Sequence, residues 1–177
     1  MGPFSDTRDF RFRPVTAEDR ALLAEWIARP HVAEWFGDVD EEVSAIMDEL
    51  GAPWFACAIV RHEGRDVGYV QRYGTDLEPA GSWSEQTPGT VGIDQFIAEP
   101  GLLGRGVGTA LVRQVSDALL VEGAAAVILD PDPANARAVR CYEKAGFRHV
   151  GPATKPWGRV LVMRRDGPDS SALQRNA

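Results

Sequence analysis

Two spacings of apolar residues alternate along the chain. Phe10 and Phe12 alternate with Arg11 and Arg13 ahead of Val15, which predicts a half-buried strand that Pro14 ends or places at a sheet edge. Thr16 suits a helix N-cap, and Glu18 and Asp19 suit the positive end of a helix. Leu22, Leu23, Trp26 and Ile27 then form one helical stripe, closed by Pro30. Residues 31–37 read as an irregular aromatic segment. Residues 40–50 read as a second helix with Val43, Ile46, Met47 and Leu50 inward. A strand at 54–60, a turn at 62–65 built on Gly64 and a return strand at 66–73 make a hairpin. Residues 74–89 hold Pro79, Gly81, Pro88 and Gly89 and show no period. A connection this long inside a compact domain is usually functional or disordered. An apolar strand follows at 90–98. Next comes a helix at 109–122, with Leu111, Val115, Ala118 and Leu119 inward and Gly123 at its end. A short strand at 126–129 is broken by Asp130-Pro131-Asp132-Pro133. A helix at 135–145 ends at Gly146, and strands at 147–150 and 159–163 close the pattern.

That order predicts a mixed α/β fold around one central sheet. No repeat or linker interrupts it, so one domain is expected over 10–165, with a flexible start at 1–9 and a loose tail at 166–177. A chain of 177 residues with 44% hydrophobic content can bury a core of its own. No apolar stretch reaches membrane-spanning length, and the N-terminus lacks the apolar core of a signal peptide. The two cysteines, Cys57 and Cys141, make neither a disulfide framework nor a metal spacing, so no metal and a reducing, cytoplasmic location are expected. Cys141 reads as a small residue packing a helix. The formal net charge of −7 excludes nucleic acid and anionic membrane as partners for the domain as a whole. It suits a cationic ligand, and equally plain solubility. A monomer or homodimer is expected.

The most informative stretch is residues 90–110, TVGIDQFIAEPGLLGRGVGTA. An apolar strand stops at Glu99-Pro100-Gly101, and Gly104-Arg105-Gly106-Val107-Gly108-Thr109 runs straight into a helical pattern. Glycines there let backbone N–H groups approach a ligand, and the helix start adds unpaired donors and partial positive charge. Together these make an anion site, most often for phosphate. The nucleotide P-loop is excluded because no lysine lies in the loop. The dinucleotide fingerprint is excluded because its third glycine position falls on Thr109 or Leu111.

What remains, Gly104-x-Gly106-x-Gly108 after a strand carrying Asp94, resembles motif A of the GNAT acyltransferases. Leu103 stands where that family usually has Arg or Gln, which removes a side chain but no backbone donor. Residues 135–147, NARAVRCYEKAGF, resemble motif B. The likeness narrows further. Glu34-Trp35-Phe36-Gly37, Val67-Gly68-Tyr69-Val70-Gln71, Gly92-Ile93-Asp94-Gln95-Phe96, Asp130-Pro131-Asp132-Pro133 and residues 140–147 are similar to aminoglycoside 6'-N-acetyltransferases, in the same order. This resemblance implies a mostly antiparallel sheet splayed at an acetyl-CoA cleft and flanked by helices. It also implies cofactor contacts from Phe96, Ile97, Ala98, Arg105, Gly106, Val107, Gly108, Thr109, Asn135 and Tyr142.

Acetyl transfer to an amine needs a neutral nucleophile, a donor for the developing oxyanion and a proton for the leaving thiolate. Asp94 is the sole charged residue between Val91 and Ala98. An unpaired carboxylate on an apolar strand is costly to bury, so Asp94 should face a cleft, a cation or a hydrogen-bond network. It can serve as base or as counter-ion to the substrate ammonium, or simply pair with a buried arginine. Tyr142 is the candidate acid, since a phenol can protonate a thiolate with little mismatch in pKa. A backbone N–H within residues 95–98 is expected to meet the oxyanion, at a bulge. For a polycationic sugar the candidates are Trp35, Gln71, Tyr73, Trp83, Glu85, Asp94 and Asp130: carboxylates pair with ammonium groups and aromatic rings stack on sugar faces. The alternatives are acetylation of a protein N-terminus, a lysine or a siderophore-precursor amine, and a silent acyl-CoA-binding module.

Overall fold

The computed structural model describes residues 4–7 and 9–167. Among these, seven strands occur: β1 (Phe10–Pro14), β2 (Phe55–His62), β3 (Arg65–Gly74), β4 (Thr90–Ile97), β5 (Ala126–Leu129), β6 (Arg148–Lys155) and β7 (Gly158–Asp166). They pair in the order β1-β2-β3-β4-β5-β7-β6. Five α-helices accompany them: α1 (Arg20–Ile27), α2 (Pro30–Phe36), α3 (Val39–Asp48), α4 (Val107–Val121) and α5 (Ala136–Lys144). The β4–β5 pair is parallel, while β1–β2, β5–β7 and β6–β7 are antiparallel. Contacts divide the chain into two compact units, Met1–Gln71 with Asp94–Gly108, and Arg72–Ile93 with Thr109–Ala177. The divisions fall inside β3 and β4 and at the start of α4 rather than in linkers, so no change of composition marks them.

In the first unit β1 pairs with β2 from Phe10↔His62 to Pro14↔Ala58. As an edge strand it tolerates Pro14, which has no N–H to offer a further neighbour. The chain then reverses into α1 through a charged clasp. Arg13 donates twice to the buried Asp19 carboxylate at 2.8 Å, and Asp19 accepts the Thr16 N–H at 2.9 Å. The Arg13 guanidinium holds Asp19 below the usual carboxylate range. α1 buries Leu23, Trp26 and Ile27, α3 buries Val43 and Ile46, and the Trp26 ring meets Phe96 of β4 edge-on at 6.4 Å.

Two sequence expectations change here. Pro30 does not merely close α1: it is the first residue of α2, with Arg29 as an extended N-cap, so residues 30–36 are helical rather than irregular. Proline suits that position because its φ is preset and its missing N–H would have no helical acceptor. The chain before β1 is also tied down where it is described. Phe4 is buried with its ring 5.3 Å from Phe12, and the Phe12 N–H donates to Asp6 at 2.8 Å. At the other end β7 extends through Asp166, and the rest of the expected tail, from 168, lies outside the described residues.

In the second unit β4 and β5 pair only at Thr90↔Ala126, Val91↔Val127 and Gly92↔Ile128. β5 itself runs from Ala126 to Leu129. α4 buries Leu111, Val112, Val115 and Leu119, and Ala126, Val127, Leu129 and Met163 are buried alongside in this unit. β6 runs on to Lys155, beyond the expected end at 150. Its residues alternate between exposed and half-buried, so it carries no apolar alternation to read in sequence.

Candidate active site

β4 carries Asp94 in the first unit, and β3 delivers Gln71 to it. Gln71 Nε2 donates to Asp94 Oδ2 at 2.9 Å, and Gln71 Oε1 accepts the Tyr69 hydroxyl at 2.6 Å. Tyr69 is fully buried, stacked on Phe96 at 5.5 Å and met edge-on by Phe36 at 6.5 Å. Asp94 therefore has a hydrogen-bond network and not the buried arginine partner that was the structural alternative. Desolvation pushes its carboxyl up to about 6, and the Gln71 donor pulls the other way. A carboxyl poised there is ionised at neutral pH and still basic enough to take a proton.

Glu42 is the acid that the sequence reading missed. It is half-buried on α3, and burial, with Asp94 next in effect, pushes its carboxyl up to about 7. A Cβ on Gly37 would stand 2.9 Å from Glu42 Oε1, so the side chain folds back against the turn that follows Trp35 and Phe36. The signal was present: Glu42 lies one residue before Val43 and four before Ile46, on the inward face of α3. Trp35 itself is half-buried on α2 in this same unit.

The glycine loop also belongs to the first unit. Gly104 and Gly106 have φ of +73° and +84°, values that L side chains rarely adopt, and a Cβ on either would meet nothing within 4 Å. The loop is exposed through Gly106, and α4 begins at Val107, two residues earlier than the expected Thr109. A left-handed, open-sided loop on the first turn of a helix fits a pyrophosphate held by backbone donors. Arg105 is exposed in it.

The stretch that precedes the loop is partly committed. The Ala98 N–H donates to Val67 O at 2.8 Å and the Glu99 N–H to the same oxygen at 3.4 Å, the two-to-one pattern of a β-bulge. Ala98 O accepts Arg29 Nη1 at 2.9 Å, and His31 Nε2 lies 3.0 Å from Ile97 O. Both backbone groups of Ala98 are thus occupied within the protein. A ligand that used the Ala98 N–H would compete with Val67 O for it. The bulge itself stands where it was expected, and Phe96 and Ile97 are buried on β4.

In the second unit, Trp83 is a core residue and Tyr73 is half-buried against its cluster. Trp83 packs with Ile128, Val160 and Val162, and Tyr73 and Ala153 lie against that cluster. The Tyr73 ring covers Gly92 so closely that a Cβ there would fall 2.2 Å from it. Lys155 Nζ sits 3.8 Å from the Trp83 ring centroid and binds Glu85 at 2.8 Å and the Ser82 carbonyl. Trp83 is therefore no platform for a sugar: it is 2% exposed and a lysine already caps a face. The exposed indole nearby is Trp157, whose N–H donates to Asp130 at 2.9 Å and whose ring lies 6.1 Å from Trp83. Glu85 keeps an exposed side chain.

α5 carries Tyr142, which is buried with its ring 6.5 Å from Phe147. Asn135 is the N-cap of that helix. Its Oδ1 accepts the Ala138 N–H at 3.0 Å, which leaves the amide NH₂ as the end that can meet a ligand. Thr109 Oγ1 donates to Cys141 Sγ at 3.4 Å. Burial raises the Cys141 thiol pKa, as suits a packing residue and not a nucleophile. Among the described residues no cluster of His, Cys, Asp and Glu could hold a metal ion, and no helix is long and apolar enough to cross a membrane.

Comparison with known proteins agrees with this architecture. The acetyltransferase (GNAT) domain family matches residues 15–155. Aminoglycoside N(6')-acetyltransferase type 1 of Klebsiella pneumoniae is 39% identical over 164 residues, covering 85% of this chain and 80% of the relative. The lysine N-acyltransferase MbtK of Mycolicibacterium paratuberculosis is 28% identical over 165 residues, covering 90% of this chain and 74% of the relative. Among solved structures, AAC(6')-Ib in complex with coenzyme A and kanamycin superposes with a TM-score of 0.81 at 34% identity, over 94% of this chain and 99% of that one. With the parallel β4–β5 pair and the glycine loop at the start of α4, these matches lead to one conclusion: the chain belongs to the GNAT acetyltransferase family.

Proposed function

We propose that this protein moves the acetyl group of acetyl-CoA to the 6'-amine of aminoglycosides, and so confers resistance to them. The observation that carries this reading is the Asp94–Gln71 pair on β4 and β3: an ionisable carboxylate of raised pKa, oriented by an amide, in a chain 39% identical to a 6'-N-acetyltransferase. Acetyl-CoA supplies the thioester. The amine nitrogen forms the new bond to the acetyl carbon, and the carbon–sulfur bond breaks. Asp94 takes the ammonium proton, directly or through water, Tyr142 gives one to the departing sulfur, and the second proton shed by the nitrogen as the amide forms restores the phenol. Asp130, Glu85 and Glu42 supply negative charge for the other ammonium groups, and Trp35 supplies a ring for a sugar face. We place the enzyme in the cytoplasm, where acetyl-CoA is available and free thiols persist.

A second acceptor class is suggested by the lysine N-acyltransferase relative at 28% identity. A thiol-release assay separates the two. Kanamycin should drive release of free coenzyme A, whereas an analogue with a 6'-hydroxyl and free lysine should not. Acetylation of lysine with kanamycin ignored would overturn the aminoglycoside reading and leave the family assignment intact.

The loop contributes its own prediction. Gly106→Val forces a β-branched residue to φ +84° and should weaken acetyl-CoA binding by about tenfold or more, the strain being of order 1–3 kcal/mol. Calorimetry that finds wild-type affinity in the folded variant would move the pyrophosphate elsewhere.

A further inference from the structure

The site described so far stops at Gln71, yet the chain of polar contacts continues one residue deeper. Tyr69 is 0% exposed, and its hydroxyl donates to Gln71 Oε1 at 2.6 Å while Gln71 Nε2 donates to Asp94 Oδ2 at 2.9 Å. A phenol that keeps its proton offers an O–H, and an ionised carboxylate can only accept. A glutamine between them satisfies both in a single orientation, with its oxygen toward the tyrosine and its NH₂ toward the aspartate. The flipped amide would aim a carbonyl oxygen at a carboxylate and would take away the oxygen that accepts the Tyr69 O–H. We infer that Tyr69 is a positioning residue for acetyl transfer: through the Gln71 amide it locks a donor onto Asp94 and so keeps that carboxylate ionised. The inference rests on the reading of Asp94 as the group that takes the amine proton.

The surroundings suit that task. Phe96 stacks on the Tyr69 ring at 5.5 Å and Phe36 meets it edge-on at 6.5 Å, so the hydroxyl is held in place by packing on both sides. Burial raises the phenol pKa well above 10, with the Cys57 thiol, Asp94 and Glu49 adding to it, and the O–H remains a donor at any working pH. Burial also lifts Cys57 to about 11, so no thiolate competes for that hydrogen. Gln71 from β3 lowers the Asp94 pKa, and the Asp94 charge raises that of Glu42 on α3. If the amide is released, the hydrogen bond that offsets desolvation of Asp94 is lost and protonated Asp94 gains a carbonyl acceptor.

The test is Tyr69→Phe, which deletes the hydroxyl and keeps the ring. The carboxyl signal of Asp94, followed by NMR titration in the free protein, should move from about 6 upward by about one pH unit. The acidic limb of kcat/KM for the 6'-amine should move with it. From the titration fractions, activity falls about fivefold at pH 6 and hardly at all at pH 8, with the KM for acetyl-CoA unchanged. Phe36→Leu loosens one side of that packing but keeps every member of the relay, so both shifts should be smaller than in Tyr69→Phe. Gln71→Met, at a half-buried position, removes the donor itself and should reproduce the upward move, which keeps the inference testable if Tyr69→Phe does not fold. An unchanged Asp94 titration in a folded variant overturns the inference. A raised titration with an unmoved limb upholds the positioning and instead removes Asp94 as the proton acceptor.

Discussion

Asp94→Asn is expected to lower turnover on kanamycin by about ten- to a hundredfold while making the protein more stable. The substitution keeps the shape of the side chain and the contact with Gln71, but it removes the charge that holds or deprotonates the substrate ammonium. A charge-assisted hydrogen bond is worth roughly 1.5–3 kcal/mol, which sets that range. The stability effect follows from linkage. Burial raises the Asp94 pKa from 3.8 to about 6 in the folded state. Between those values the folded chain holds a proton that the unfolded chain has released, so this group's contribution to stability falls as pH rises through about 4 to 6. Above pH 6 the full cost of the buried charge is present. The asparagine variant escapes it, so its gain in melting temperature should grow across that window and level off above it. Thermal melts at pH 4, 6 and 8 beside rate measurements check both halves. Full activity in Asp94→Asn would move the acid–base role to Glu85 or Asp130. An equal gain over wild type at all three pH values would mean that Asp94 is not desolvated as the structure has it.

Tyr142→Phe should lower turnover by about a hundredfold and leave acetyl-CoA affinity nearly unchanged. General acids contribute about 10²–10⁴ to such steps, and only the hydroxyl is lost. Tyr142 is 7% exposed on α5 and its ring packs by Phe147, so phenylalanine preserves the packing. The loss should fall on kcat rather than on KM, because the proton is needed only as the sulfur departs. A coenzyme A analogue whose thiol has a lower pKa should recover part of the rate in the variant. Wild-type turnover in folded Tyr142→Phe would assign the proton to water.

How much of this the sequence determined can be argued from particular residues. The strand 126–129 was legible to the residue, because Gly123 and Pro131 bound a short β-branched run on each side. The hairpin at 62–65 and the glycine loop were legible for the same reason: each depends on residues whose conformational limits are local. Asp94 stood out because one charge on an apolar strand has few places to go.

Tertiary structure decided the rest. Pro30 has the same fixed φ whether it closes one helix or opens the next, and only the packing of Val32 chose the second. Trp83 has the composition of a sugar platform, but its place in a core depends on Val160 and Val162, far along the chain. Ala98 lost its donor to Val67 across the sheet. Glu42 and Tyr69 gained their place beside Asp94 in the same way, through partners from α3 and β3 that no local pattern could pair with β4. Backbone preference is a property of neighbours in sequence, whereas burial, hydrogen-bond partnership and pKa belong to neighbours in space.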